Sequence, residues 1–195
     1  MALLRNISAS DDAYVVEGEG VFLRLPRNSD YVEWAELRAR SRAFLTPWEP
    51  TWPADDLTRT AFRRRLRRYQ RDVRDDQAYP FFIFSSRSGK LVGGCTLSNV
   101  RRGVSQTCSL GYWVGEPYKQ QGYTGAAVKA LIPFVFDQLK LHRLEAACLP
   151  TNEPSSALLK ACGFTQEGFA RNYLRIDGAW RDHLLFAILS TDPRV

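Results

Sequence analysis

Several features that mark common protein classes are scarce or missing in this chain of 195 residues. It has only two histidines, His142 and His183, and its cysteines form no C-x-x-C pair. We therefore expect no metal site, because zinc sites draw on clustered Cys and His. No apolar run approaches the about 20 residues of a membrane-spanning helix. Residues 1–5 lead into no signal-peptide h-region, so we expect a cytoplasmic protein without membrane contact.

The chain has four cysteines, but they are widely spaced and lie in apolar surroundings: Cys95, Cys108, Cys148 and Cys162. This pattern predicts reduced, buried thiols that act as small core hydrophobes. A cysteine nucleophile is the less favoured alternative.

No Pro/Gly/Ser-rich linker divides the sequence. With 45% hydrophobic and 12% aromatic residues it has the composition of a globular protein. We expect a single domain over residues 1–195, with a loose N-terminal segment at residues 1–12.

The stretch from Leu110 to Phe136 organises the chain. An aromatic and β-branched strand ends at Val114, and a helix at about 122–140 follows, kinked at Pro133. The helix carries an apolar stripe at helical spacing, made of Val128, Leu131, Ile132, Val135, Phe136 and Leu139.

The loop between this strand and helix has features of an anion-binding site. Gly122 lets another group approach the backbone, unpaired N–H groups open the helix, and Lys119 adds a positive charge. A plain strand-to-helix turn is the alternative. The loop is neither a Walker A loop nor a G-x-G-x-x-G motif, so neither nucleotide fold is supported.

The remaining pattern predicts an α/β protein. A helix begins near Asp30, another spans 55–76, and a short one runs from Asn152 to a Gly163 cap, whereas the proline-rich segment 44–50 should be irregular. Strands are expected at 14–25, 79–85, 90–99, 104–114, 143–149, 164–172 and 180–189.

The helix at 55–76 is amphipathic and strongly basic. Its arginines are Arg59, Arg63, Arg64, Arg65, Arg67, Arg68, Arg71 and Arg74. A solvated face and a surface that docks onto nucleic acid or another acidic partner are equally favoured interpretations. That the face is rich in arginine rather than lysine slightly favours phosphate contact, because the planar guanidinium binds phosphate bidentately.

From Val21 to Leu189 the chain resembles the GNAT superfamily of acetyl-CoA-dependent N-acetyltransferases. The run 119–124 resembles that superfamily's Arg/Gln-x-x-Gly-x-Gly/Ala loop, with Lys119 and Thr124 as departures. Asn152 and Ser155, followed by Gly163-Phe164, resemble its second signature. The resemblance implies the GNAT (acyl-CoA N-acyltransferase) fold, with a mixed, mostly antiparallel sheet flanked by helices.

The resemblance also implies which residues bind acetyl-CoA, the co-substrate. These are Val114, Lys119, Gln120, Gln121, Gly122, Tyr123, Thr124, Gly125, Asn152 and Ser155. Asn152 is expected to contact the pantetheine arm, and Ser155 to protonate the leaving thiolate. Simple helix capping is the alternative for both residues.

Three further segments, at 42–50, 98–103 and 173–183, resemble the RimJ type, which acetylates the N-terminal alanine of a ribosomal protein. This implies a protein N-terminus as acceptor and ribosome or rRNA contact through the Arg59–Arg74 helix. Glu49 is the candidate to bind the incoming ammonium group or to relay its proton. The alternative is that its carboxylate only makes a local hydrogen bond in the turn. Acetylation of a small amine, or an RNA-binding assembly factor with a vestigial site, remain alternatives.

Overall fold

A twisted sheet of eight strands runs through the computed structural model, which describes residues 14–194. The loose segment expected at residues 1–12 lies outside the described residues. Strand order is β1-β2-β3-β4-β5-β6-β8-β7. The strands are β1 Val15–Gly18, β2 Val21–Arg24, β3 Tyr79–Ser85, β4 Leu91–Arg101, β5 Thr107–Val114, β6 Arg143–Cys148, β7 Thr165–Ile176 and β8 Ala179–Leu189.

Only the β5–β6 pair is parallel among the paired strands of the described chain; every other pair is antiparallel. The expected mixed, mostly antiparallel sheet is therefore confirmed. The helices are α1 Tyr31–Arg40, α2 Arg42–Leu45, α3 Arg59–Arg74, α4 Tyr123–Pro133 and α5 Glu153–Ala161.

Both faces of the sheet are covered. Alternate residues of a strand point to opposite faces, and β3 divides accordingly. Phe81 and Ile83 join the cluster that contains the buried stripe of α4, whereas Phe82 and Phe84 join the cluster formed with α1 and α3. This double burial explains why all seven residues of β3 are buried.

The helical stripe predicted for the central helix is confirmed, since all six of its residues are buried. The regular α-helix ends at Pro133 and continues as one π-helical turn, Phe134–Gln138, in which the Leu139 N–H donates to the Phe134 carbonyl at 2.9 Å. The kink expected at Pro133 is thus a change of helix type. The four cysteines are free and buried, as predicted.

Three expectations were wrong in detail. Residues 14–25 form a hairpin rather than one strand, because Gly20, at φ +69°, turns the chain between β1 and β2. Segment 44–50 is partly helical, with a 3₁₀ turn at Thr46–Trp48 that accepts Pro47 near its start. The basic helix begins at Arg59, where the Thr58 side chain accepts from the Ala61 N–H at 3.2 Å.

Candidate active site

The centre of the candidate site is a gap between β5 and β6. The two strands pair from Thr107 to Leu110 of β5, and the last pair is Leu110 with Ala146. β5 continues beyond this point along β4 alone as far as Val114. The half of β5 that follows Leu110 therefore has a free edge on the β6 side.

The direction of the free backbone groups follows from strand geometry. The Gly115 N–H donates to the Val92 carbonyl of β4 at 2.9 Å. Because successive residues of a strand direct their backbone groups to opposite sides, Val114 directs its N–H away from β4 and into the gap. Val114, one of the predicted acetyl-CoA contacts, thus offers a donor on the open edge.

The loop from β5 to α4 turns sharply and presents the start of α4. It contains a 3₁₀ turn at Glu116–Tyr118 and left-handed residues at Gln120, φ +58°, and Gly122, φ +82°. Gly122 is the N-cap of α4. The first N–H groups of a helix lack intrahelical acceptors, so they are available to an anion at this end.

Two glycines leave the face of the α4 N-terminus open. A Cβ placed on Gly122 or on Gly125 would meet nothing within 4 Å. Thr124, by contrast, is buried, so its β-branched side chain turns inward and does not fill this face. This face is therefore open to an anion such as a diphosphate, and Thr124, the departure from the usual small residue, leaves it clear.

The polar residues of the loop have different placements. Lys119 is exposed, with its Nζ 3.4 Å from Glu116 and 5.4 Å from the Phe44 ring centroid. The Gln121 side chain donates to the Pro117 carbonyl at 2.8 Å and so braces the loop. Tyr123 packs edge-on against Tyr118 at a centroid distance of 6.0 Å. Lys119 supplies an exposed positive charge to the loop.

Helix α1 supports this loop from behind. The Glu116 N–H donates to Ser41 Oγ at 2.9 Å, and Ser41 is completely buried. A Cβ on Gly115 would collide with the Leu37 side chain, so only glycine permits the close packing of strand end and helix. The loop from β5 to α4 is therefore fixed to α1 as well as to the sheet.

Helix α5 brings the second signature to the opposite side of the gap. Asn152 is its N-cap, and the Asn152 Oδ1 accepts from the Ser155 N–H at 3.2 Å. The helix start expected at Asn152 is confirmed. The Asn152 side-chain oxygen caps the helix, as the capping interpretation predicted. The Asn152 amide nitrogen and the Ser155 hydroxyl are not used by the cap.

The Ser155 hydroxyl meets a residue that the sequence did not single out. Its Oγ lies 2.7 Å from the phenolic oxygen of Tyr112 on β5. Burial raises the pKa of Tyr112 well above its ordinary value, so the phenol stays protonated. Burial raises the pKa of the Cys148 thiol at the end of β6, and Ser155 lowers it by a smaller amount.

A cleft of about 560 Å³ adjoins the start of α5. Its walls come from three parts of the chain: Pro47 and Trp48, the β6–α5 connection Leu149, Pro150 and Thr151, and residues Asn172, Asp177, Trp180, Arg181 and Asp182 of the β7–β8 hairpin. Trp180 is 63% exposed. Aromatic walls and two carboxylates suit an extended segment that carries an ammonium group.

Glu49, the other predicted catalytic residue, is bound by side chains. Arg38 donates to both of its carboxylate oxygens, at 2.7 and 2.6 Å, and Trp52 Nε1 donates to Oε2 at 2.7 Å. The Trp52 bond is a local hydrogen bond of the kind that the sequence offered as an alternative, whereas the Arg38 pair joins the turn to α1. Its role in proton transfer stays a prediction.

Within residues 14–194, no three Cys, His, Asp or Glu side chains are grouped so that they could hold a metal ion. None of the helices described is both long and apolar enough to cross a membrane.

Comparison with known proteins gives one family and relatives that match over most of both chains. A family model described as an acetyltransferase (GNAT) domain matches residues 21–165, which include the loop, Asn152 and Ser155. The [ribosomal protein uS5]-alanine N-acetyltransferase of Escherichia coli (strain K12) is 34% identical over 170 residues, covering 87% of this chain and 88% of the relative.

Solved structures agree in fold over the same extent. Ribosomal-protein-S5-alanine acetyltransferase from Vibrio fischeri superposes with a TM-score of 0.85 at 33% identity, covering 92% of this chain and 98% of the other. RimJ of Mycobacterium smegmatis, in complex with CoA-disulfide, gives a TM-score of 0.84 at 34% identity, covering 90% of this chain and 86% of the other.

Proposed function

We propose, since this chain belongs to the GNAT family of acetyltransferases, that it transfers acetyl from acetyl-CoA to the α-amine of a polypeptide N-terminus. The favoured acceptor is the N-terminal alanine of a ribosomal protein, which the names of the E. coli and V. fischeri relatives suggest. The observation that carries the proposal is the cleft beside the start of α5, where two tryptophans and two aspartates line the wall together with one arginine, Arg181. It is open at the surface and so admits a chain end.

The two substrates enter from different sides of the gap. Acetyl-CoA supplies the activated acetyl group, and its diphosphate fits the open N-terminus of α4 beside Lys119 and Gly122. The pantetheine arm then lies along the free edge of β5, within reach of the Asn152 amide. The acceptor lies in the cleft of Trp48, Thr151 and Trp180.

The acceptor amine determines how much base catalysis is needed. An N-terminal α-amine has a pKa of about 7.7 to 8.0, against about 10.4 for a lysine side chain. A useful fraction is therefore neutral near pH 7 and can attack the thioester without a strong base. The carboxylates of Asp177 and Asp182 attract the charged form into the cleft.

The developing oxyanion needs a donor that is already in place. The Val114 N–H points into the gap and needs no rearrangement to meet it. Fixed donors of this kind act strongly, because the site pays no reorganisation cost during the reaction.

The leaving thiolate is the second site of developing charge. Ser155 donates its hydroxyl proton to that sulfur, and Tyr112, 2.7 Å away, donates to Ser155 in turn. The proton that the attacking nitrogen loses on amide formation passes to water and restores the phenol, whose raised pKa keeps it protonated between turnovers.

Mass spectrometry on a peptide panel tests the proposal. The panel contains peptides that begin with alanine, serine or methionine, together with lysine-containing blocked peptides and small amines. Acetylation of the alanine or serine peptides is expected. Transfer confined to small amines would contradict the proposal and favour an enzyme that modifies small molecules.

We also propose that the outer face of α3 contacts ribosomal RNA. Five of its arginines pair with aspartates, of which Arg64–Asp55 and Arg65–Asp56 flank a shallow cleft of about 590 Å³. In four of these pairs the arginine is exposed, and such pairs contribute only about 0 to 1 kcal/mol, so these four arginines can turn to phosphate. Arg65, by contrast, is held by the buried Asp56. Arg63 and Arg67 are exposed and make no ion pair among residues 14–194.

Filter binding at several salt concentrations tests this contact. Reversing the charge of Arg63, Arg67 and Arg71 should weaken RNA binding and reduce its salt dependence. With fewer phosphate contacts, binding releases fewer counterions. Activity on a short peptide should be unchanged. An unaltered affinity for RNA would leave α3 as a solvated face.

A further inference from the structure

The acceptor cleft is held in shape from outside, by a residue that lines neither substrate site. We propose that Arg38 is a positioning residue for the acceptor side of the active site, clamping the segment Glu49–Trp52 against the β7–β8 turn. This inference rests on the proposed function, because it takes the cleft of Trp48 and Trp180 as the place where the acceptor binds.

Arg38 binds Glu49 in a geometry that fixes direction as well as distance. Its Nη1 donates to Oε1 at 2.7 Å and its Nη2 to Oε2 at 2.6 Å, the two parallel bonds of a planar fork. The Arg38 residue is only 8% exposed. A buried bidentate pair of this kind sets the position of the Glu49 backbone relative to α1.

Two indole rings hold the guanidinium from its faces. The Arg38 Cζ lies 4.0 Å from the Trp52 ring centroid and 4.8 Å from that of Trp113. Trp113 belongs to β5 and packs so closely on β4 that a Cβ on Gly94 would lie 2.6 Å from its Nε1. Trp52 closes the loop by donating to Glu49 Oε2. The clamp is therefore anchored to the sheet.

The clamp reaches the acceptor cleft through the backbone of Glu49. The Glu49 carbonyl accepts from the Asp177 N–H at 2.9 Å, which ties the β7–β8 turn to this segment. Asp177 and Trp180 line the cleft on one side, and Pro47 and Trp48 line it on the other. Both walls thus depend on where Arg38 holds Glu49.

A role in stability alone explains this arrangement less well. Buried ion pairs contribute little net stability because desolvation opposes their attraction. The Arg38 Nε is buried and has no hydrogen-bond partner within the described chain, which is a further cost. The two terminal nitrogens and the two ring contacts nevertheless fix the guanidinium in place, as a positioning role requires.

Ser41, one turn along from Arg38, provides a matched control. Ser41 supports the acetyl-CoA loop through Glu116, whereas Arg38 supports the acceptor walls through Glu49. The two residues flank the same end of α1 but serve opposite substrates. Their variants should therefore give opposite patterns of impairment.

The test compares Arg38→Lys, Glu49→Gln and Ser41→Ala in the full chain. We measure the KM for an alanine-initiated peptide, kcat and the Kd of acetyl-CoA. Arg38→Lys keeps the charge but loses the fork, so it should raise the peptide KM about tenfold or more with an unchanged Kd of acetyl-CoA. Ser41→Ala should raise that Kd instead.

Hydrogen exchange of the free protein keeps the test independent of the acceptor. Arg38→Lys should speed exchange of the Asp177 amide and leave amides of α4 unchanged. The exchange measurement tests the positioning role even if the wild type acetylates no α-amine. That outcome would contradict the proposed function but not the positioning role. Unchanged Asp177 exchange in folded Arg38→Lys, or an unchanged KM in an enzyme active on peptides, would overturn the positioning role.

Glu49→Gln separates positioning from proton transfer. The positioning account predicts a raised peptide KM, with the pH dependence of kcat unchanged. A Glu49→Gln variant with normal KM, lower kcat at saturating peptide and a lost limb of the pH profile would overturn it and assign Glu49 to the chemical step.

Discussion

The phenolic oxygen of Tyr112 lies 2.7 Å from the Ser155 Oγ, a contact between residues 43 positions apart in the chain. Tyr112 comes from the free edge of β5 and Ser155 from the first turn of α5, so the contact spans the gap where the two strands separate. A protonated phenol behind a serine hydroxyl forms a short route for a proton toward a leaving thiolate.

Removing either hydroxyl should slow turnover without unfolding the protein. We expect Ser155→Ala to lower kcat by roughly 10²-fold, as for other general acids, and Tyr112→Phe to lower it by up to about tenfold, since one hydrogen bond is lost. The Kd of acetyl-CoA should change little. Ser156→Ala is the matched control, and a normal kcat in Ser155→Ala would remove the proposed acid.

The open face at Gly122 should be essential for acetyl-CoA binding. Gly122→Val forces a branched residue to φ +82° and fills space that the diphosphate requires. The backbone strain costs about 1 to 2 kcal/mol. Gly89→Val, at φ +67° in a turn that is also open, should cost similar stability.

Calorimetric titration with acetyl-CoA and thermal unfolding distinguish these two variants. Gly122→Val should lose measurable affinity for acetyl-CoA, whereas Gly89→Val should retain it. Equal affinities in the two variants would show that the loop does not hold the diphosphate.

Asn152 has two roles that one substitution can separate. Its Oδ1 caps α5, so Asn152→Ala should lower the free energy of unfolding by about 1 kcal/mol. Asn152→Asp keeps a capping oxygen and loses the amide donor. We expect Asn152→Asp to be as stable as the wild type but to bind acetyl-CoA more weakly. If Asn152→Asp binds acetyl-CoA with wild-type affinity, Asn152 only caps the helix.

Asp76 should contribute to the stability of the fold against acid. It accepts two hydrogen bonds from Arg102, at 2.6 and 2.9 Å, and one from Tyr79 at 2.8 Å. The Arg102 hydrogen bond, followed by that from Tyr79, lowers the pKa of Asp76 below its ordinary value. Such a carboxylate stabilises the fold above its unfolded pKa, and this is lost as pH falls through the folded pKa.

Urea unfolding of Asp76→Asn at a series of pH values checks this expectation. The variant should be less stable than the wild type at pH 7. The difference should shrink as pH falls from about 4, the pKa of the unfolded carboxyl, through the lower pKa of the folded protein. Asp75→Asn, whose carboxylate pairs with exposed Arg74, is the control. A difference that stays constant with pH would assign the effect of Asp76 to something other than its charge.

The elements that could be predicted are those with a strong local signal. β3 was predicted with its bounds because seven consecutive buried residues, covered on both faces, form one apolar run. The α4 stripe was recognisable because helical spacing is repeated from Val128 to Leu139. Family resemblance led to the prediction of an acetyl-CoA loop at 119–125, which Gly122 alone would not have distinguished from an ordinary turn.

The features that were missed depend on contacts distant in sequence. Tyr112 was one residue of an aromatic strand and was given no role, because only the separation of β5 from β6 places it opposite Ser155. Glu49 was considered without Arg38, since no local pattern joins a helix residue to a turn eleven positions away. The β1–β2 hairpin had one local signal, Gly20 between two apolar pairs, which the wider apolar alternation concealed.

The central claim is that the acceptor is an α-amine, and one peptide tests it most directly. The peptide begins with a free alanine and carries a single internal lysine, and tandem mass spectrometry locates the acetyl group after reaction with acetyl-CoA. The account predicts acetyl on the alanine α-amine alone, with no product when that amine is blocked. Acetyl on the lysine side chain, or equal modification of both amines, would contradict it.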